Sequence, residues 1–268
     1  MEYNINGGEN MTNNNNTYNI LPDTLKQIKT GFAEFDEKIG GFGLSSLIII
    51  AARPAMGKTT FALHLAKHFA IEQNMPALYF SLEKSKEALS QQFIYIETGV
   101  GVHKLNSGKL TNDEKISINK AVELFLNAPI YIDDTPRITP AKIFSRCSEF
   151  KEKPSLVIID LLQLINADKK DKKRKHEIIE IEIELRKFAH EMNIPIVVLS
   201  SVSRGCEGRV DKRPKISDLR CSSKYVDDIY FLYNEGYYTL GKLINPTEII
   251  KAGEKDKSRA FVCNLNIN

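Results

Sequence analysis

Residues 47–60 read LIIIAARPAMGKTT, and the interpretation of the whole chain starts from this stretch. The apolar run Leu47–Ala51 predicts a buried strand, and apolar residues at helical spacing after Thr59 predict a helix. A glycine-containing turn between a strand and a helix is the setting of a phosphate-binding loop (P-loop), where backbone N–H groups and the helix dipole attract phosphate. The full P-loop pattern begins with glycine, and this chain has Ala52 there. Alanine can replace that glycine if its φ is negative.

The loop residues predict a site for ATP and Mg²⁺. Gly57 lets the backbone approach the phosphates, Lys58 reaches the β and γ phosphates, and the Thr59 hydroxyl ligates Mg²⁺. A chance GKT sequence after a strand is the alternative, and the correct context on both sides argues against it. The residues expected to bind the nucleotide are Arg53, Pro54, Ala55, Met56, Gly57, Lys58, Thr59 and Thr60.

Two carboxylates follow other predicted strands. The apolar run 156–160 ends in Asp160, which is the arrangement of a Walker B strand and supplies a second acid for the metal. Glu83 comes just after the strand Ala77–Ser81 and is a candidate to activate water. On spacing alone, Glu83 is better explained as a solvated glutamate at a helix start, where the helix dipole favours it.

The rest of the chain predicts one α/β domain. Apolar runs alternate with helical patterns from residue 30 onward, which is typical of a mostly parallel central sheet flanked by crossover helices. The predicted strands are 47–51, 77–81, 130–132, 156–160, 196–200, 228–233 and 248–250. The predicted helices are 58–72, 84–98, 112–126, 139–151 and 175–192. Upstream, the Asn-rich residues 1–20 predict a disordered leader, and residues 21–29 a linker helix.

Composition excludes several classes of protein. Of the 268 residues, 42% are hydrophobic and 26% charged, and no apolar run approaches a membrane span or a secretory signal, so a cytoplasmic protein without membrane contact is expected. The four cysteines show no CxxC spacing, which argues against zinc and disulfides. A net charge of +3 does not by itself indicate nucleic acid. A basic block at 169–175, KKDKKRK, is better explained as a solvated loop than as a DNA contact, and residues 204–220 add further cations.

Taken together, these segments resemble the motor domain of DnaB-type replicative DNA helicases, a RecA-like P-loop NTPase fold. The resemblance runs from Thr30 to about Tyr233 and is carried by a specific combination of motifs. The matching segments are TGFAEFDEKIGG (30–41), IIIAARPAMGKTTFAL (48–63), LYFSLEKS (78–85), LNSGKLTNDE (105–114), IYIDDTPRIT (130–139), VIIDLLQL (157–164) and RVDKRPKISDLR (209–220). In that family an alanine commonly stands at the position of Ala52.

The resemblance implies an ATP-dependent helicase motor for DNA replication. It assigns Glu83 to water activation and Asp160 to the Walker B role, with Lys58 and Thr59 on phosphate and Mg²⁺. It also implies a homo-hexameric ring around single-stranded DNA, with ATP between neighbouring subunits and a loader or primase as a partner. The 209–220 segment matches a DNA-contacting loop, and the candidate DNA residues are Arg220, Arg204 and Arg213.

The chain also departs from the family pattern. Ser201 stands where the family has a glutamine that senses the γ-phosphate, and Cys221–Ser223 replaces Glu-Ser-Gly after Arg220. The Lys-x-Arg-Asn-Gly motif, whose basic residues reach a neighbour's ATP, is not intact, so Lys255 or Arg259 would have to serve as the trans finger. We also expect the family's helical N-terminal domain to be missing, leaving residues 30–268 as the motor.

These departures keep two alternatives open beside the helicase motor. One is a divergent paralog that binds ATP and acts as a regulatory or interaction subunit, with weak hydrolysis and no unwinding. The other is a different RecA-like ATPase, and the IDDTP and DKRPxxSDLR segments argue against it.

Overall fold

The computed structural model describes residues 27–168, 173–241, 247–253 and 259–263, the last of these by backbone only. The predicted leader and residues 21–26 of the predicted linker helix therefore lie outside the described residues. Gln27 and Ile28 do not continue such a helix, because they form a short strand that pairs antiparallel with Phe42 and Gly43. Pairing with a distant segment overrides local helical tendency here.

An eight-stranded sheet forms the centre of the described chain, in the order β10-β9-β8-β3-β7-β6-β4-β5. Strands β3 to β8 pair in parallel, whereas β9 is antiparallel to β8 and β10 is antiparallel to β9. The mostly parallel sheet predicted from the sequence is thereby confirmed. The strands are β1 (Gln27–Ile28), β2 (Phe42–Gly43), β3 (Leu47–Ala52), β4 (Ala77–Ser81), β5 (Ile130–Asp133), β6 (Leu156–Asp160), β7 (Ile196–Ser201), β8 (Asp228–Tyr233), β9 (Thr247–Lys251) and β10 (Arg259–Cys263).

The five predicted helices are present and differ only near their ends, whereas three short helices, Ala33–Ile39, Val102–Ser107 and Glu235–Thr239, were not predicted. The predicted helix over 58–72 changes at His68 into a π-helical turn that runs to Glu72. The predicted start at residue 84 moves to Lys86, because the Ser85 side chain caps the helix by accepting from the Ala88 N–H. The helices are α1 (Ala33–Ile39), α2 (Lys58–Lys67), α3 (Lys86–Thr98), α4 (Val102–Ser107), α5 (Asn112–Asn127), α6 (Pro140–Glu149), α7 (Arg174–Met192) and α8 (Glu235–Thr239).

Helices cover both faces of the sheet, and each face has its own apolar core. Helix α2 and the Phe35–Phe42 pair pack on one face, and helices α6 and α7 pack on the other. Strand β3 lies between the two cores, and all six of its residues are buried. A strand that is covered on both faces needs a continuous apolar sequence, and LIIIAA supplies it.

The arrangement of parallel strands places the site. The carboxyl ends of β3, β4, β6 and β7 lie at one edge of the sheet, and ligands of open α/β sheets bind at that edge. The structure contains no helix, within the residues that it describes, with the length and apolar character needed to cross a membrane.

Candidate active site

The loop between β3 and α2 has the backbone of a phosphate cradle. Gly57 adopts a left-handed conformation with φ of +83°, and Ala55 is also left-handed with φ of +62°. The Phe61 N–H donates to the Gly57 carbonyl at 2.8 Å, so α2 begins immediately after the glycine. Ala52 is the last residue of β3 in extended backbone, where alanine fits without strain.

The Lys58 ammonium is held inside this loop. Its Nζ donates to the carbonyl oxygens of Ala52 at 3.2 Å and Arg53 at 3.1 Å, and the residue is 9% exposed. Burial lowers the pKa of Lys58 to about 8, and the nearby carboxylates of Asp160 and Glu83 oppose that shift. A desolvated cation in a cradle of N–H groups is a strong attractor for phosphate.

Thr59 and Asp160 meet across the end of the sheet. The Thr59 hydroxyl donates to Asp160 Oδ2 at 2.8 Å, and the Tyr79 hydroxyl donates to the same oxygen at 3.1 Å. Asp160 is 1% exposed, and burial raises its pKa while both hydrogen bonds oppose the rise. Among the described residues, none bonds to the buried Oδ1 of Asp160. An orphaned carboxylate oxygen beside a threonine hydroxyl fits Mg²⁺, which prefers hard oxygen ligands and keeps several waters.

A cleft of about 270 Å³ opens beside these groups. Glu83 is exposed at its lip, in the turn that follows β4. The predicted residues thus come together around one space, at the ends of β3, β4 and β6. The residues that line the cleft are Pro54, Ala55, Gly57, Lys58, Thr59, Thr60, Glu83, Lys84, Gln92 and Ser201.

Two predicted nucleotide-binding residues point elsewhere. The Arg53 guanidinium pairs with Glu207 at 2.8 Å and donates to the Val202 carbonyl at 3.1 Å. Met56 is 1% exposed and belongs to the apolar core on the α2 face. The side chains of Arg53 and Met56 therefore fix the loop in place, and only their backbone remains available to phosphate.

Sequence reasoning missed three groups at the site. Tyr79 is fully buried and donates to Asp160, Lys84 lines the cleft, and Gln92 links Lys84 to Thr60 through hydrogen bonds. The position of Lys84 directly after Glu83 carries the same strand-end signal that identified the glutamate. Gln92 has no such signal, because it enters the cleft only through the packing of α3 beside α2.

The segment from 202 to 220 is folded onto itself by its own ion pairs. The Arg209 guanidinium donates to both carboxylate oxygens of Asp218, at 2.9 and 2.6 Å, and the Ser203 N–H donates to the Asp218 carbonyl. Arg204 and Arg220 are exposed and make no ion pair with the described residues. A preformed loop that presents unpaired guanidinium groups is suited to phosphate.

Arg213, the third predicted DNA residue, is already paired. Its guanidinium donates to both oxygens of Glu248 on β9, at 2.7 and 2.5 Å, and lies 4.9 Å from the centre of the Tyr233 ring. Bidentate pairing and stacking are typical of a structural arginine. Arg213 therefore connects the 202–220 segment to β9.

The other predicted cations lie away from the cleft or outside the described residues. Lys255 and residues 169–172 of the basic block lie outside them. Arg259 begins β10, opposite Lys251, and its side chain is not described. Within the block, Arg174 donates to the carbonyls of Gln163 and Ile165 and pairs with Glu177, so it anchors the start of α7.

Strand β9 ends at the edge of the sheet opposite the phosphate loop. It is antiparallel to β8, which runs parallel to β3, so β9 runs towards the end of the sheet where β3 begins, and Lys251 is level with Ile50 through Tyr230. The β9–β10 connection of one chain therefore starts on the far side of the sheet from that chain's own cleft.

Comparison with known proteins gives one family. The family model described as "DnaB-like helicase C terminal domain" matches residues 27–260. The replicative DNA helicase DnaB of Geobacillus stearothermophilus is 40% identical over 217 residues, which is 79% of this chain and 48% of that protein. DnaB of Leifsonia xyli subsp. xyli is 36% identical over 238 residues, 87% of this chain and 50% of that protein. The chain thus spans about half the length of the curated relatives it matches.

Solved structures give the same answer. The ATPase domain of G40P superposes with a TM-score of 0.81 at 29% identity, covering 90% of this chain and 88% of that one. A DnaB-like replicative helicase, solved in a study of its interactions with primase, also reaches a TM-score of 0.81 at 29% identity, covering 89% of this chain and 59% of that one.

Proposed function

This chain belongs to the family of DnaB-like helicase C-terminal domains, and from that membership we propose that it is an ATP-driven motor that moves along single-stranded DNA. The observation that carries the proposal is the cleft at the ends of β3, β4 and β6, where Lys58, Thr59, Asp160 and Glu83 converge. These four residues supply the separate functions that phosphoryl transfer to water requires.

Each residue has a distinct task in this mechanism. Backbone N–H groups after Gly57 and the Lys58 ammonium hold the β and γ phosphates. Thr59 and Asp160 would hold Mg²⁺, which neutralises phosphate charge and orients the terminal phosphate. The Glu83 carboxylate is exposed to the cleft, where it can orient a water molecule and accept its proton.

The DNA-contacting surface in this proposal is the 202–220 segment. Its exposed Arg204 and Arg220 bind backbone phosphates, whereas the Arg213–Glu248 pair holds the segment against the sheet. Arg53 gives the segment a direct connection to the phosphate loop, because it contacts Val202 and Glu207. Phosphate occupancy and the position of the DNA segment are coupled through this arginine.

The assembly and the partners are proposed by analogy with the family. We propose a homo-hexameric ring in the cytoplasm, with each cleft at a subunit boundary, and a primase or loader as a partner. The position of β9 supports a contribution in trans, since the segment after Lys251 starts at the sheet edge opposite the chain's own cleft.

Steady-state ATP hydrolysis with and without single-stranded DNA tests the proposal. We expect Mg²⁺-dependent hydrolysis that DNA stimulates severalfold, and its loss in the Lys58→Ala variant. Light scattering on the same samples gives the oligomeric state. Absence of hydrolysis, or of DNA stimulation in an assembled ring, would contradict the motor function.

A regulatory ATP-binding subunit is the second candidate. It is favoured by Ser201, a short side chain that lines the cleft on the strand end where the family has its γ-phosphate-sensing glutamine. This candidate predicts that a monomer or dimer binds nucleotide and hydrolyses it weakly. A stable ATP-dependent hexamer would exclude it.

A further inference from the structure

Lys84 brings a second ammonium group to the cleft that Lys58 lines. It directly follows Glu83, and the Ser81 hydroxyl donates to the Lys84 carbonyl at 2.6 Å. This hydrogen bond fixes the turn after β4 in a form that presents Glu83 and Lys84 to the same space.

A glutamine bridge holds the Lys84 side chain over the phosphate loop. Lys84 Nζ donates to Gln92 Oε1 at 2.7 Å, and Gln92 Nε2 donates to the Thr60 hydroxyl at 3.0 Å. Thr60 lies in the first turn of α2, next to the residues that bind phosphate. The bridge therefore places the ammonium over the first turn of α2, beside the phosphate loop.

The charge on Lys84 has no counterion in the described structure. Its partner is a neutral amide, and no carboxylate among the described residues forms an ion pair with it. Arg53 in the phosphate loop differs, because its guanidinium pairs with Glu207. An unneutralised ammonium that faces a phosphate site attracts a polyanion.

We propose that Lys84 contacts the terminal phosphate of bound ATP from within the same chain and is a catalytic residue for its hydrolysis. The proposal rests on the ATPase function proposed above for this cleft. In the step, the water oxygen bonds to the terminal phosphorus as the bond from phosphorus to the ADP oxygen breaks, and Glu83 takes the water proton. Lys84 transfers no proton; it stabilises the negative charge on the phosphoryl group in the transition state.

This assignment gives the cleft a cation in cis. A trans finger depends on a neighbouring chain, whereas Lys84 is carried by the turn that also carries Glu83. The chain would then keep part of its hydrolysis where the Lys-x-Arg-Asn-Gly motif is altered.

The first test compares Lys84→Met with Lys84→Arg, and uses Lys86→Met as the matched control. Lys86 is exposed at the start of α3 and does not line the cleft. We expect Lys84→Met to lower kcat at least about tenfold. The same variant should lose more affinity for a non-hydrolysable Mg-ATP analogue than for Mg-ADP. Lys84→Arg should retain most of both properties, and Lys86→Met and nucleotide-free thermal unfolding should be unchanged. An unchanged kcat, or equal weakening of the analogue and of ADP, would overturn the proposal.

The second test separates action in cis from action in trans. Lys84→Met chains are mixed with Lys58→Ala chains, which keep Lys84 but have a defective cleft. If Lys84 acts within its own chain, the mixture hydrolyses only the sum of the two separate activities. Activity restored above that sum would show that Lys84 serves a neighbour and would overturn the assignment.

The two proposals fail in different ways. A wild-type chain that binds no nucleotide overturns both the ATPase function and the role of Lys84. A wild-type chain that binds but does not hydrolyse ATP overturns the motor reaction and the catalytic role of Lys84, whereas the preference for the analogue over ADP still decides whether Lys84 contacts the terminal phosphate.

Discussion

Lys58 shows how one side chain links burial to pH dependence. Its pKa is lowered to about 8 because it is desolvated inside the loop, despite the nearby carboxylates of Asp160 and Glu83. Above that pH the free chain loses the ammonium that attracts phosphate. We expect Mg-ADP affinity, measured by calorimetry from pH 7 to 9.5, to fall by up to about tenfold per pH unit above pH 8. Lys58→Arg should bind Mg-ADP more weakly, and its affinity should not change with pH over this range, since arginine stays charged. Equal slopes in both proteins would contradict this origin.

At Asp160, the proposed metal-binding role and the stability of the fold have opposite requirements. The carboxylate is 1% exposed and Oδ1 has no partner among the described residues, so its charge is costly until a cation arrives. We expect Asp160→Asn to reduce Mg²⁺-dependent hydrolysis by about two orders of magnitude or more, while nucleotide-free thermal stability stays the same or rises. Asp113→Asn, on the exposed first turn of α5, is the control and should change neither quantity. A large loss of stability in Asp160→Asn would show that the carboxylate is mainly structural.

At the scale of elements, Glu182 connects α7 to the residues that follow the 202–220 segment. It is fully buried, accepts the Ser222 N–H at 2.9 Å and also bonds to Cys221, and burial raises its pKa to about 7. Between about pH 4.5 and 7 the folded state holds a proton that the unfolded chain has released. The free energy of unfolding therefore falls as pH rises through this window, at about 1.4 kcal/mol per unit of pKa displacement.

Glu182→Gln tests this contribution because glutamine keeps an acceptor for Ser222 and cannot ionise. Urea unfolding should show that the free energy of unfolding of the variant, relative to that of the wild type, is higher at pH 8 than at pH 5 by at least about 1 kcal/mol. Glu184, whose pKa is also raised, is present in both proteins and cancels in the difference. Parallel pH profiles would mean that Glu182 is ionised in the folded chain throughout.

Within the 202–220 segment, ion pairing separates the arginines into two groups. Arg204 and Arg220 are unpaired, so replacing either by alanine should weaken single-stranded DNA binding and reduce the salt slope by about 0.7. Arg213 is committed to Glu248, so Arg213→Ala should leave that slope unchanged. Fluorescence anisotropy at several salt concentrations distinguishes the three variants. A reduced slope in Arg213→Ala would mean that DNA displaces Glu248.

Strands and helices that are specified by a local sequence pattern could be predicted from the sequence. Buried parallel strands have continuous apolar sequences, so β4, β6 and β8 were placed at their observed bounds. Contacts between distant elements were not predictable in this way. Gln92 reaches Thr60 only after α3 packs beside α2, and the helix expected to run to residue 29 gives way to strand pairing with Phe42. Glu83 needed the family resemblance, because its spacing alone favoured a solvated residue.

For the whole molecule, the site lies at the ends of β3, β4, β6 and β7, so a ligand there would connect four of the eight strands of the described sheet. We expect Mg-ADP at 100 times its Kd to stabilise the chain by about 2.7 kcal/mol and to raise the midpoint of a single thermal transition. Lys58→Ala should show no such rise. Two separated transitions would instead indicate that part of the sheet unfolds independently of the site.

Strand β3 has a consequence for the order in which the chain can fold. It lies at the centre of the sheet, and its partners β7 and β8 begin at Ile196 and Asp228, far along the chain. During synthesis the six buried residues of β3 therefore emerge long before either neighbour exists, and such an apolar segment invites aggregation until it is covered. The proposed nucleotide site can form only after β7, which ends at Ser201, has been made. Nucleotide capture by a nascent chain would consequently mark the assembly of the strands around the site, and chaperone demand should be highest between the emergence of Leu47 and that of Tyr233.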